Sequence, residues 1–222
     1  MFNFSLKTPT KAAPRAKRSL SGLQVLLKAP PPRNGSRRRG PLIAFTSASP
    51  GEGVSHVARY FAEQLAAHTG GPTLVIDAVR LRNLQAADFI NMPGRCQRTK
   101  VDNLWLLPHE RAVKGNGNGN GNGHRPTLEP DSDSESGLDH LDALSMTFSH
   151  TLVDCPSISS SYEAALLAPE VDGVILVVEA DRTRKHQILR ARQTIEMANG
   201  KLIGMVLNKR RFVVPEWFYR LM

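Results

Sequence analysis

The sequence predicts an α/β fold, a parallel sheet with helices on both faces, on three observations. Short runs that are apolar throughout recur along the chain, among them Leu42–Phe45, Thr73–Ile76 and Val174–Val178. Strands apolar on both sides belong to buried parallel sheets. Between the first two lies a stripe at helical spacing, Val57, Tyr60, Phe61 and Leu65, interrupted at Gln64. Strand, helix and strand in that order need a crossover, and a crossover makes the strands parallel. Finally, polar residues end the runs: Asp77 after the second, Asp154 after the fourth and Asn208 after the sixth. In open α/β sheets the strand carboxyl ends are where ligands sit.

Taken in order, the domain begins at Pro41 with the strand Leu42–Phe45, then a Ser/Pro/Gly loop and a helix over 55–68. Gly70-Gly71 stops that helix, and Thr73–Ile76 forms the next strand. Further strands fit 103–107, 151–153, 174–178 and 202–207, with a helix over about 183–198 between the last two. The alternating Gly-Asn tract and the acidic stretch after it, at about 114–137, cannot bury apolar surface. They are expected to form a mobile insertion.

Residues 1–40 are expected to be a basic, largely disordered arm, with one short helix over 19–28, and 41–222 the α/β domain. The net charge of +9 belongs to the arm, which holds ten Lys and Arg and no acid. The rest of the chain carries the remaining 19 bases against 20 acids, a net of −1. A cytoplasmic membrane leaflet would attract such an arm, each Lys or Arg contributing about 1 kcal/mol. An acidic segment of a partner would attract it too. Nucleic acid is not expected, because no aromatic residues interleave the charges. Cys96 and Cys155 stand far apart in no CxxC spacing, which points away from zinc and disulfide frameworks. No apolar run approaches the roughly 20 residues of a membrane span, and the start lacks the apolar core of a secretory signal. The expected location is cytoplasmic.

The segment Ser47-Ala-Ser-Pro-Gly-Glu-Gly-Val-Ser-His56 sits between the first strand and first helix, the place of a P-loop. Such loops hold phosphate on successive backbone N–H groups and a helix N-terminus. A lysine reaches the β- and γ-phosphates, and a Ser or Thr hydroxyl helps to hold Mg²⁺. Pro50, Gly51, Glu52 and Gly53 keep the backbone cradle and Ser55 keeps the hydroxyl, but the lysine position is Val54 and His56 follows. Candidate nucleotide contacts are therefore Gly51, Glu52, Gly53, Val54, Ser55, His56 and Asn208. Candidate Mg²⁺ ligands are Ser55, Asp77 and Asp154. The two aspartates are also the only catalytic candidates; the alternative is that they cap the segments that follow. Asn208 lacks a following guanine-reading aspartate, so adenine fits better than guanine. ATP or ADP with Mg²⁺ is the expected cofactor if one binds at all.

Phe45–Gly53 with Ser55, Leu74–Asp77, Leu152–Pro156, Val171–Val178, Thr183-Arg184 and Gly204–Asn208 together resemble the cytoplasmic domain of bacterial tyrosine autokinases. That family lies within the MinD/ParA-type P-loop ATPases and serves capsule and exopolysaccharide synthesis. The likeness covers most of 41–222. It implies a P-loop NTPase-like fold and a partner, the inner-membrane chain-length co-polymerase, with the chain at the inner face of that membrane. A homo-oligomer is a further expectation. Ser49 stands where partitioning ATPases carry an early signature lysine, which favours the autokinase branch.

Three departures accompany the likeness. Val54 replaces the loop lysine, and Val79 stands where a second carboxylate follows Asp77. The C-terminal tyrosine cluster is missing, the only tyrosines being Tyr60, Tyr162 and Tyr219. The expectation is a pseudokinase-like regulatory or scaffolding protein of exopolysaccharide synthesis. The alternatives are an active autokinase with an atypical loop, in which His56 or Arg59 supplies the cation, and a MinD/ParA-like spatial-organisation ATPase.

Overall fold

The structure is a computed structural model that describes residues 40–84, 96–107, 141 and 144–210. The arm, the short helix expected over 19–28 and the Gly-Asn and acidic insertion lie outside the described residues. The strands are β1 (Leu42–Ser47), β2 (Thr73–Asp77), β3 (Gln97–Arg98), β4 (Leu104–Leu106), β5 (His150–Asp154), β6 (Gly173–Glu179) and β7 (Leu202–Asn208). Among the described residues, helices with both ends placed are α1 (Val54–Thr69), α2 (Ala78–Arg82), α3 (Glu163–Leu167) and α4 (Lys185–Met197). One sheet contains all seven strands in the order β3-β4-β2-β5-β1-β6-β7, parallel except for β3, which runs antiparallel to β4.

The two apolar faces expected of each strand pack into different layers. Ile43, Phe45, Val75, Leu152, Ile175 and Val177 face α1. Leu42, Ala44, Leu74, Ile76, Val153 and Val174 face the opposite side with α3 and the end of α4. Helix α1 buries Val54, Val57, Ala58, Phe61, Ala62, Leu65 and Ala66, a broader stripe than large side chains alone reveal because the alanines pack too. Phe61 meets Phe45 with ring centroids 5.7 Å apart. Truncating it to alanine should cost about 3–5 kcal/mol. Gly70 ends α1 at φ 65, its N–H donating to the Ala66 carbonyl.

Expected strands and helices match the observed ones to within a residue or two. Three short elements carry too little periodicity to be read: β3, α2 and α3. The last two have five residues each. Register decides where the site forms. Asp77 pairs with Asp154, so β2 and β5 end together, and β1 runs past Phe45, the other partner of Asp154, to Ser47 and into the loop.

Candidate functional site

The loop after β1 is shaped by two glycines in the left-handed region, Gly51 at φ 81 and Gly53 at φ 91. Only glycine adopts those angles without steric cost. Gly53 is also the N-cap of α1, and no side chain caps that end. The first N–H groups of a helix have no partner within it. Val54, Ser55 and His56 therefore present backbone donors at the positive end of the helix, an arrangement that favours an anion.

Glu52 is buried, and its carboxylate turns back into the loop. One oxygen accepts from the N–H groups of Ala48 and Ser49, at 3.0 and 3.2 Å, and the other accepts from the Thr183 hydroxyl. Its role is to brace the loop from behind. A cleft of about 240 Å³ opens on this side, lined by Ser49, Glu52, Arg182, Thr183, Arg184 and Gln187; none of Ser55, Asp77 or Asp154 lines it.

Val54 is also buried, its side chain packed in the core cluster with Phe45, Val57 and Phe61. It contributes backbone to the loop, and its side chain brings no cation to the position where a lysine was expected. His56 and Arg59 are exposed. Arg59 lies near enough to Asp154 to favour its ionised form.

The three expected Mg²⁺ ligands converge. Asp154 and Asp77 are cross-strand partners, and the Ser55 side chain hydrogen-bonds Asp154. Burial pushes the Asp154 carboxyl above the usual range; the Ser55 hydrogen bond opposes that, the neighbouring Asp77 adds to it, and Arg59 counters it. A desolvated carboxylate beside a second one is a site that a divalent cation would relieve. Asp77 has a second task. Its Oδ1 caps α2 by accepting from Val79 and Arg80 N–H at 2.9 and 3.2 Å, so the capping alternative holds for this residue. Among the described residues no group of three or more His, Cys, Asp or Glu could hold a metal. Mg²⁺ here would have one hydroxyl and two carboxylates, with water and phosphate oxygens completing its shell.

Asn208 does not stand free to read a base. Its amide nitrogen donates to the Glu52 carbonyl at 2.8 Å, tying the end of β7 to the loop. Lys209, which no motif in the sequence marks, follows at φ 54. Its ammonium group donates to the Gly51 carbonyl and, at 3.0 Å, to Glu179. The available signal was its place, one residue past a strand that ends at the loop. Through Lys209 first, and then Arg182, the Glu179 carboxyl is held below its usual range. Both cysteines are buried; burial drives the Cys96 thiol to about 11 and raises Cys155 further, so neither is a nucleophile at neutral pH.

A parallel sheet, a glycine-shaped loop opening into α1 and two carboxylates at adjacent strand ends define a P-loop-type α/β protein whose phosphate loop lacks its lysine. No protein-family model matches the chain. It is similar to the tyrosine-protein kinase CpsD of Streptococcus agalactiae, 24% identical over 190 residues that cover 78% of this chain and 77% of that protein. It is also similar to the succinoglycan biosynthesis transport protein ExoP of Rhizobium meliloti, 28% identical over 187 residues, 76% of this chain but 22% of that protein. Among solved structures, the chimerical protein CapA2B2 shares the fold at a TM-score of 0.58 and 21% identity, over 85% of this chain and 82% of that one. The MinD cell division protein of Aquifex aeolicus, in its complex with MinC, follows at 0.53 and 18%, over 78% and 70%. The chain is thus similar in sequence to bacterial tyrosine-protein kinases, and it shares its fold with CapA2B2 and with MinD. Among the described residues no helix is long and apolar enough to cross a membrane.

Proposed function

We propose that the chain is a non-catalytic, pseudokinase-like regulatory or scaffolding subunit of exopolysaccharide synthesis or export, acting with a membrane chain-length co-polymerase. The observation that carries the reading is the burial of Val54 in the core at the lysine position. Phosphoryl transfer is catalysed by positioning and by neutralising charge that develops on the transferred group. Here the loop offers backbone donors and no ammonium. Lys209, the described lysine nearest the loop in its hydrogen bonding, is engaged by the Gly51 carbonyl and Glu179.

The cradle and the Ser55, Asp77 and Asp154 cluster support weak Mg-nucleotide binding without transfer. In this reading the domain is a docking body at the inner membrane face, with the basic arm at the lipid surface and the co-polymerase's cytoplasmic segment as partner. The names of the relatives, a succinoglycan transport protein among them, support the pathway.

Two measurements test this. Calorimetric titration with Mg-ATP and Mg-ADP should give weak or no binding, and purified protein should transfer no radiolabelled phosphate to itself. Val54→Lys should gain nucleotide affinity. Co-purification with the co-polymerase should succeed with and without ATP; no association in either condition defeats the docking role. The second reading, an active autokinase, rests on Arg59 being close enough to act on Asp154. Phosphate transfer by the native chain that disappears in Arg59→Ala would establish it in place of the first.

A further inference from the structure

Buried parallel strands are covered on both faces, and β7 is not. It is the edge strand beyond β6. Its Met205 and Leu207 are 58% and 57% exposed, the largest exposure of any apolar residues in the sheet. Met205 is the register partner of Leu176, and Leu207 of Val178. Both of those β6 side chains are buried under α4, against Ala191 and Ile188. Met205 and Leu207 therefore extend the same apolar row one strand further, past the edge of the helix that covers it. An exposed apolar edge strand in a twisted sheet invites pairing with other chains, and folded proteins cover such edges.

We propose that this face is the seat of the chain's own segment 211–222. The described chain leaves β7 through Lys209 and Arg210, at the edge of the uncovered row, and the next residues are Arg211-Phe-Val-Val-Pro-Glu-Trp-Phe-Tyr-Arg-Leu-Met222. Phe212, Val213, Trp217, Phe218 and Leu221 make it strongly apolar. The lengths fit. Met205 lies five residues back along a strand, about 17 Å at the usual rise per residue. Pro215 suits a first helical position, and a helix from there to Met222 would run about 12 Å, leaving 211–214 to reverse direction. On such a helix Trp217, Phe218, Leu221 and Met222 would share one face at spacings of three and four. A segment seated there covers the row next to α4 and also fixes the end of β7, where Asn208 and Lys209 hold the phosphate loop.

The chain has two tryptophans, so Trp105→Phe leaves Trp217 as the sole indole emitter. In that full-length protein Trp217 should emit as a buried indole and resist acrylamide quenching, independently of protein concentration. Leu207→Asp and Met205→Asp, both at exposed positions, should each shift the emission to the red and raise quenching severalfold with the far-UV circular dichroism unchanged. Amide hydrogen exchange gives a second readout: Trp217→Ser with Phe218→Ser should speed exchange along β7. A solvent-exposed Trp217 in the parent, protection indifferent to both aspartates, or protection that grows with concentration and so comes from a second copy, each overturns the proposal.

Discussion

Glu52 and Thr183, 131 residues apart in the chain, meet in a hydrogen bond that joins the back of the phosphate loop to the turn before α4. The other Glu52 oxygen takes the N–H groups of Ala48 and Ser49. A buried carboxylate so placed braces the loop with the protein's own groups. The loop therefore keeps its glycine-shaped path with a valine where a lysine would be.

Glu52→Ala should therefore destabilise the whole domain, by roughly 3 kcal/mol for hydrogen bonds to a buried charged group. At a few degrees per kcal/mol that is a fall in Tm of about 6–12 °C. Scanning calorimetry measures it. Glu52→Gln keeps an acceptor oxygen and should lose less.

Gly53→Ala should be costly for two reasons. The backbone sits at φ 91, and an added Cβ would fall against the Asn208 amide nitrogen, well inside contact distance. A loss of about 1–3 kcal/mol is expected from strain alone. Asn208→Ala removes the clash and leaves the strain, so the double variant should be more stable than the two single losses add up to. Chemical denaturation of the four proteins forms the cycle.

Asp154 gives a prediction of opposite sign. Burial raises its folded pKa, so in the fold the ionised form is disfavoured relative to the unfolded chain. Its unfavourable contribution is absent below the ordinary carboxylate range, grows as pH rises from the unfolded pKa to the folded one, and stays constant above. Asp154→Asn should raise Tm at pH 7, with a gain that shrinks on acidification towards pH 4. It should also abolish any Mg²⁺-dependent rise in Tm. A variant that is less stable at pH 7 would mean that the Ser55 hydrogen bond outweighs burial.

For Glu179 the shift runs the other way. The Lys209 ammonium holds its pKa down, so its contribution is present above the unfolded pKa and is lost as pH falls through the folded one. Lys209→Met should move the Glu179 carboxyl up towards the ordinary range, read by carboxyl-carbon NMR titration, and should weaken the link from β7 to Gly51. An unchanged titration would mean that Arg182 alone sets it.

The sheet was legible because both of its layers are built from strands with unbroken apolar runs and from a helix whose stripe includes Val57, Phe61 and Leu65. The short α2 and α3 escaped because five residues complete barely more than one turn. Val54 was legible as a missing charge, but its burial was not, since a residue at the mouth of a loop can point outward or inward with the same sequence neighbours.

By its sequence alone this chain determined a parallel α/β sheet, a phosphate-type loop after the first strand, the absence of a lysine within it, and aspartates at two strand ends. Those are local properties: residue type, periodicity and spacing within a few residues. Tertiary structure alone decided that Asp77 and Asp154 are neighbours, that Glu52 braces the loop through Thr183, and that Asn208 and Lys209 clamp it from the last strand. These contacts join residues more than seventy positions apart, and they depend on strand order and register. A one-dimensional pattern does not carry those two quantities, because loop closure can bring many strand pairs together and only packing selects one.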